Sequence, residues 1–164
     1  MSQERDNTMK FQVNHNNKTF MREALEEAKK AYAENEVPVG AVVVYKNRII
    51  AKAYNQKLKF NDFRAHAEVI ALNKAQKVIG DWRLNDCDLY VNLEPCVMCA
   101  GAILETRIKN VYFGLREVKQ GSIVSKLNVL DADLPHKVKY FGGILENESK
   151  SLITNFFKKI RKTT

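Results

Sequence analysis

The chain opens without any apolar rhythm: its first eighteen residues are polar and Asn-rich and read as a loosely attached, disordered lead. From Thr19 onward apolar residues recur at steps of three and four. Met21, Leu25, Ala28 and Tyr32 predict an amphipathic helix to about Asn35, with Thr19 as its cap. Ala41 to Tyr45 and Ile49 to Tyr54 are β-prone runs on either side of Lys46-Asn47, the pattern of a hairpin. Ala65 to Ile79 reads as a second helix that stops near Gly80. Asp88 to Leu93 then reads as a strand, Pro95 to Glu105 as a helix and Lys109 to Gly114 as a strand, an order that favours a parallel pair with a right-handed crossover. Between Gly121 and Leu134 no period stands out, and Pro135 interrupts the chain. A short strand is expected around Val138 to Phe141. Leu145 to Arg161 carries Leu152, Phe156 and Ile160 on one stripe with lysines between, which predicts a final amphipathic helix.

These elements add up to an α/β fold, residues 19–164, with helices on both faces of a central mixed sheet of about five strands. The sheet is expected to be antiparallel at one side and parallel at the other. A chain of 164 residues holds one such core, and nothing in its composition calls for a second domain. The longest apolar runs are too short for a membrane span and the polar start lacks a secretory apolar core, so the expectation is a cytoplasmic protein with no membrane contact. A net charge of +8 and a pI near 9.4 suggest a polyanionic partner such as nucleic acid, against the plainer reading of solvated lysines.

Three cysteines, two of them in a C-x-x-C, argue for a metal site or a redox pair and against a disulfide framework. The choice between those two turns on a second motif. His66-Ala67-Glu68 adds one imidazole and one carboxylate to Pro95-Cys96-Val97-Met98-Cys99. A catalytic zinc site uses three protein ligands and leaves one position open, and His66, Cys96 and Cys99 meet that count. Cys96 and Cys99 stand three apart, so on a helix both sulfurs project from one face, and Pro95 suits its first turn. A helix N-terminus also favours thiolate over thiol. Glu68 would lie about 200° round a continuous helix from His66, so the pair belongs at a helix entrance, with His66 on the metal and Glu68 facing water or substrate. Cys87 reads as a small residue before a strand and not as a fourth ligand. Both halves of the motif fall where helices begin beyond strand ends, the usual ligand position of open α/β sheets.

H-x-E with P-C-x-x-C is the known signature of zinc nucleobase deaminases. Together with Glu36-Val37-Pro38-Val39-Gly40-Ala41-Val42, Leu93-Glu94-Pro95-Cys96-Val97-Met98-Cys99-Ala100-Gly101-Ala102 and Phe113-Gly114, it makes the chain resemble the bacterial tRNA adenosine deaminases of the cytidine-deaminase-like superfamily. The resemblance is firm from about Thr19 to Gly121 and looser to Phe156-Phe157. It implies a three-layer α/β/α fold and hydrolytic conversion of adenosine to inosine at the wobble position of a tRNA anticodon arm. It further implies a homodimer with one zinc (Zn2+) per subunit. By matching position, His66, Cys96 and Cys99 would hold the metal, and Glu68 would shuttle protons to the ring nitrogen and then to departing ammonia. Asn55 would contact the target nucleoside, Val37 and Pro38 would help line the base pocket, and the Glu94 region would back the metal loop.

The chain departs from the family pattern at Asp62-Phe63-Arg64, where Pro and then Ser or Thr are usual, and at Glu117, where Asp is common. Arg64 is expected to meet a phosphate, and Glu117 to keep the charge while shifting the carboxylate. Phe156 is expected to pack, with Phe157 and Lys158 turned toward RNA. Trp82 is expected to pack, and His15 and His136 to lie at the surface. Two other functions stay open on the residues alone. One is a deaminase of a free nucleobase, nucleoside or nucleotide of the cytosine, guanine or dCMP type, with less need of a basic tail. The other is a noncatalytic RNA-binding module with structural zinc, which would have no use for Glu68.

Overall fold

A computed structural model of the chain describes residues 15–163. The chain runs α1 (His15–Ala33), β1 (Gly40–Tyr45), β2 (Arg48–Tyr54), α2 (Lys57–Phe60), α3 (Ala67–Ile79), β3 (Cys87–Leu93), α4 (Val97–Glu105), β4 (Asn110–Leu115), a 3-10 turn (Val129–Asp131), β5 (Lys139–Phe141) and α5 (Glu146–Thr163). The expected lead lies outside the described residues as far as residue 14.

Strict alternation divides the interior into two cores. On β1, Ala41 and Val43 face one core while Val42 and Val44 face the other, as a two-residue period requires when both faces of a sheet are covered. Leu89, Val91, Val111 and Phe113 join the larger core, which α3 closes with Ala71 and Leu72 and α4 with Ala100 and Ile103. Tyr90, Tyr112 and Phe141 join the smaller, under Met21 and Ala24 of α1. Those three rings stack across neighbouring strands at 4.5 and 5.2 Å between centroids, so the parallel half of the sheet is cross-linked by aromatic pairs.

The strand order is β2-β1-β3-β4-β5. β1 is antiparallel to both β2 and β3, and β3, β4 and β5 run parallel. The expected mixed five-stranded sheet with helices on both faces is the observed architecture. The β1–β2 hairpin turns at Lys46 and Asn47, both with positive φ (49° and 63°), the two-residue geometry that matches strand twist.

Three expectations need correction. Helix α1 starts before Thr19, which sits inside it and is not its cap. The extra turn forms because Asn17, buried, accepts a 2.7 Å hydrogen bond from the Tyr90 hydroxyl, and Phe20 leans on the same ring at 5.3 Å. Pro95 does not enter α4, because Cys96 is the N-cap and Val97 the first helical residue. Trp82 is about half exposed (53%) at the surface, with the guanidinium groups of Arg83 and Arg107 over its ring at 5.7 and 5.8 Å. Phe156, by contrast, is buried on α5 and meets Tyr32 edge-on at 5.8 Å.

One close approach seats α1 on the sheet. A Cβ at Gly40 would stand 2.1 Å from the Ala24 carbonyl oxygen and 2.4 Å from the Ala28 nitrogen, so only glycine lets the helix backbone lie against the start of β1.

Candidate active site

Two helices begin at the C-terminal end of the sheet. His66 is the N-cap of α3 and Cys96 the N-cap of α4, both in extended backbone. Cys99 lies in the first turn of α4 and Glu68 in the first turn of α3. His66 Nδ1 is 3.7 Å from Cys96 Sγ and 3.4 Å from Cys99 Sγ, and one ligand atom from each of the three residues falls within 4.8 Å of the others.

This set fits a zinc ion. With Zn–S of about 2.3 Å and Zn–N of about 2.05 Å, tetrahedral angles put N and S about 3.6 Å apart, and the two observed separations bracket that value. The donors are also of the right kind, one borderline imidazole and two soft sulfurs. Electrostatics favours a cation between them. The hydrogen bond with Cys99 drives the Cys96 thiol down to about 4, against the pull of burial and with help from His66. Cys99 is pushed the other way, chiefly by its hydrogen bond to Cys96 and by burial. His66 is raised above its ordinary value, mainly by its hydrogen bond to Cys96. Both helix N-termini add positive partial charge beside the thiolate.

Glu68 is buried (4% exposed) and borders the same cleft. Burial raises its pKa above the ordinary carboxylate value, which suits a group that takes up and gives back a proton. The cleft measures about 300 Å³ and is walled by Val37 and Val39, Asn55 and Lys57, Leu93, Glu117, Gln120 and Phe157.

The wall positions have identifiable supports. Asn55 donates from Nδ2 to the Val37 carbonyl (3.2 Å) and accepts from the Lys57 amide (3.2 Å). Asn92, fully buried, accepts from the Gly40 amide (2.7 Å) and donates to the Pro38 carbonyl (2.9 Å) and to Ser149 Oγ (3.1 Å). It thereby ties the Val37–Val39 wall to α5, the helix that carries Phe157. Glu36, also buried, accepts from the amides of Leu58 (3.0 Å) and Lys59 (2.8 Å) and so holds the start of α2.

Of the residues expected to bind substrate, Val37, Asn55, Glu117 and Phe157 border the cleft, and Pro38, Arg64 and Lys158 do not. Pro38 is buried between two cleft-facing valines, because an extended segment turns alternate residues away. Arg64 is exposed and forks onto Asp62 through two hydrogen bonds of 3.0 and 2.9 Å, which turns it to a neighbouring depression shared with Phe60 and Asn73. Lys158 lies exposed beside Phe157 on α5. Sequence reasoning missed Lys57, Gln120 and Val39. Only Val39 had a signal, its alternation with Val37. Cys87 is buried at the start of β3, apart from the ligand group, and His136 Nε2 pairs with the Ile108 carbonyl at 3.0 Å.

An imidazole and two sulfurs converging at paired helix entrances, with a buried carboxylate on the same small cleft, define a hydrolytic deaminase site. Comparison with known proteins agrees. The MafB19-like deaminase family matches residues 15–161. The tRNA-specific adenosine deaminase of Rickettsia bellii is 43% identical over 144 residues, spanning 86% of this chain and 99% of the relative. That of Bacillus subtilis is 41% identical over 144 residues, spanning 87% and 89%. A solved tRNA:A34 deaminase superposes with a TM-score of 0.79 at 39% identity, covering 82% of this chain and 98% of that one. The guanine deaminase of Nitrosomonas europaea shares the fold, with a TM-score of 0.74 at 22% identity over 85% of this chain and 83% of that one. The chain therefore belongs to the MafB19-like deaminase family, among its tRNA-specific adenosine deaminases. Among the described residues no helix is long and apolar enough to cross a membrane.

Proposed function

We propose that the protein hydrolyses adenosine to inosine at the wobble position of a tRNA anticodon, with one zinc ion per subunit held by His66, Cys96 and Cys99. The observation that carries this reading is the placement of buried Glu68 on the same cleft as the three-ligand set. A purely structural zinc site would be closed by four protein ligands and would have no need of a carboxylate there.

A zinc ion held by His66, Cys96 and Cys99 would supply Lewis-acid activation of the water that attacks the base. Glu68 accepts a proton from the attacking water and delivers it to the ring nitrogen beside C6, then takes the remaining proton from the hydroxyl now on C6 and delivers it to the amino group, which leaves as ammonia as the C6 carbonyl forms. Asn55 spends one amide hydrogen on Val37 and its oxygen on Lys57, which leaves a second amide hydrogen for the nucleoside. A cleft of about 300 Å³ takes a single extruded base and excludes a paired duplex. Phe157, 43% exposed at its rim, offers a face on which a neighbouring base stacks, and Lys57 and Lys158 supply charge for the phosphates.

Leu58, Phe60 and Phe63 are 71%, 59% and 69% exposed in the segment leading from Asn55 to His66. Three large apolar side chains so close together support a homodimer in which a second copy covers them beside the cleft. The proposed tRNA substrate supports a cytoplasmic location.

The test offers zinc-loaded protein an anticodon stem-loop with a wobble adenosine and, separately, free adenosine, cytidine and guanine. Inosine in the stem-loop, with no turnover of the small molecules, is expected. Turnover confined to the small molecules would contradict the proposal.

A further inference from the structure

Glu94 is buried (2% exposed), precedes the Pro95-Cys96 turn and lines the cleft, but belongs to neither the ligand set nor the proton path. Its carboxylate is nonetheless crowded with donors. One oxygen accepts from the amides of Ile123 (3.1 Å), Val124 (2.8 Å) and Ser125 (2.9 Å). The other accepts from the Glu117 amide (3.1 Å) and the Ser125 hydroxyl. All five donors lie in the irregular segment 117–125, which has no strand or helix to hold its amides. Gly121 makes room for this arrangement: a Cβ there would stand 2.4 Å from the Glu94 carboxyl carbon and 2.4 Å from the Glu117 carbonyl oxygen. The same segment contributes Glu117 and Gln120 to the cleft.

We infer that Glu94 is a positioning residue that fastens segment 117–125 as the outer wall of the cleft, locking that wall in register with the cysteine turn. Backbone amides drawn out of water without a partner are costly, and a single carboxylate satisfies four here, one buried at Ile123 and three part-buried. Substrate affinity therefore depends on Glu94 although it touches no reacting atom. Glu94→Gln keeps the shape but presents an amide donor to groups that are themselves donors. Gly121→Ala leaves the charge intact and pushes on the same carboxylate.

The inference rests on the deaminase reading for its kinetic arm and stands independently in its exchange arm. In both variants, hydrogen exchange at Ile123, Val124 and Ser125 should accelerate about tenfold or more, with β1 unchanged. Zinc content should match the parent. KM for the anticodon stem-loop should rise about tenfold with kcat within about threefold, and the double variant should be no worse than the poorer single one. Val44→Ala, which loosens the opposite core, should lower the melting temperature and leave KM alone. Unchanged exchange at 123–125 would overturn the inference, as would loss of zinc with a fall in kcat alone. A parent protein inactive on the stem-loop would condemn the deaminase reading instead, and the exchange result would then decide the role of Glu94 by itself.

Discussion

Removing the Glu36 carboxylate isolates the support of the wall opposite Glu94. Helix α2 has only four residues, so its amides have almost no carbonyls of its own to bond. The Phe60 amide reaches the Gln56 carbonyl at 3.1 Å. The Lys57 amide is taken by Asn55, and those of Leu58 and Lys59 by Glu36. Glu36→Ala therefore strips two of the four. A hydrogen bond to a charged group contributes about 1.5–3 kcal/mol when its partner stays dry. Here Leu58 and Lys59 are exposed side chains on a surface turn, so water replaces part of the loss and each bond falls to about 1 kcal/mol, about 2 kcal/mol for the two together. That is a factor of about 30 in local opening. Because α2 opens alone, the global cost is capped by its own small stability, and the melting temperature should fall by no more than about 4–8 °C. Hydrogen exchange resolved to residues 57–60, with a thermal melt of the same samples, measures both. Undiminished protection at Leu58 and Lys59, or a global loss above about 10 °C with protection intact, would refute the capping argument.

Further outcomes follow from the same geometry. Gly40→Ala must push α1 off β1 against backbone atoms, so it should cost about 3 kcal/mol or more and be read as a large drop in denaturant midpoint. Arg64→Ala removes an exposed pair with Asp62 (side chains 70% and 29% exposed) and no cleft contact, so stability should change by less than about 1 kcal/mol and kcat/KM by less than about threefold. Cys87→Ser should leave one zinc per chain by elemental analysis, because Cys87 lies apart from the ligand group. Phe157→Ala should raise KM for the stem-loop several-fold with little change in kcat, the mark of lost stacking at the rim.

The chemistry was legible in the sequence because its spacing is local. Cys96 and Cys99 share one turn, and His66 with Glu68 can share one site only at a helix entrance, which is where α3 begins. The sheet was legible through continuous β-prone runs such as Ala41 to Tyr45. What escaped was held by contacts distant in sequence. Helix α2 has no periodicity of its own and exists through Glu36, more than twenty positions upstream. The early start of α1 depends on Tyr90, 73 positions from Asn17. Pro38 was placed in the cleft by resemblance, whereas its carbonyl is drawn to Asn92, 54 positions away, and its ring is buried. Gln120 lies on a segment without pattern, which Glu94, more than twenty positions upstream, holds through direct hydrogen bonds to its amides.

The most direct test of the account is Glu68→Ala, loaded with zinc and offered an anticodon stem-loop bearing wobble adenosine. His66, Cys96 and Cys99 remain, so the variant should bind one zinc per chain as the parent does, while inosine formation should fall by a factor of about a hundred or more. Zinc retained together with near-parental inosine formation would contradict the role of Glu68 as the proton carrier and, with it, the central account.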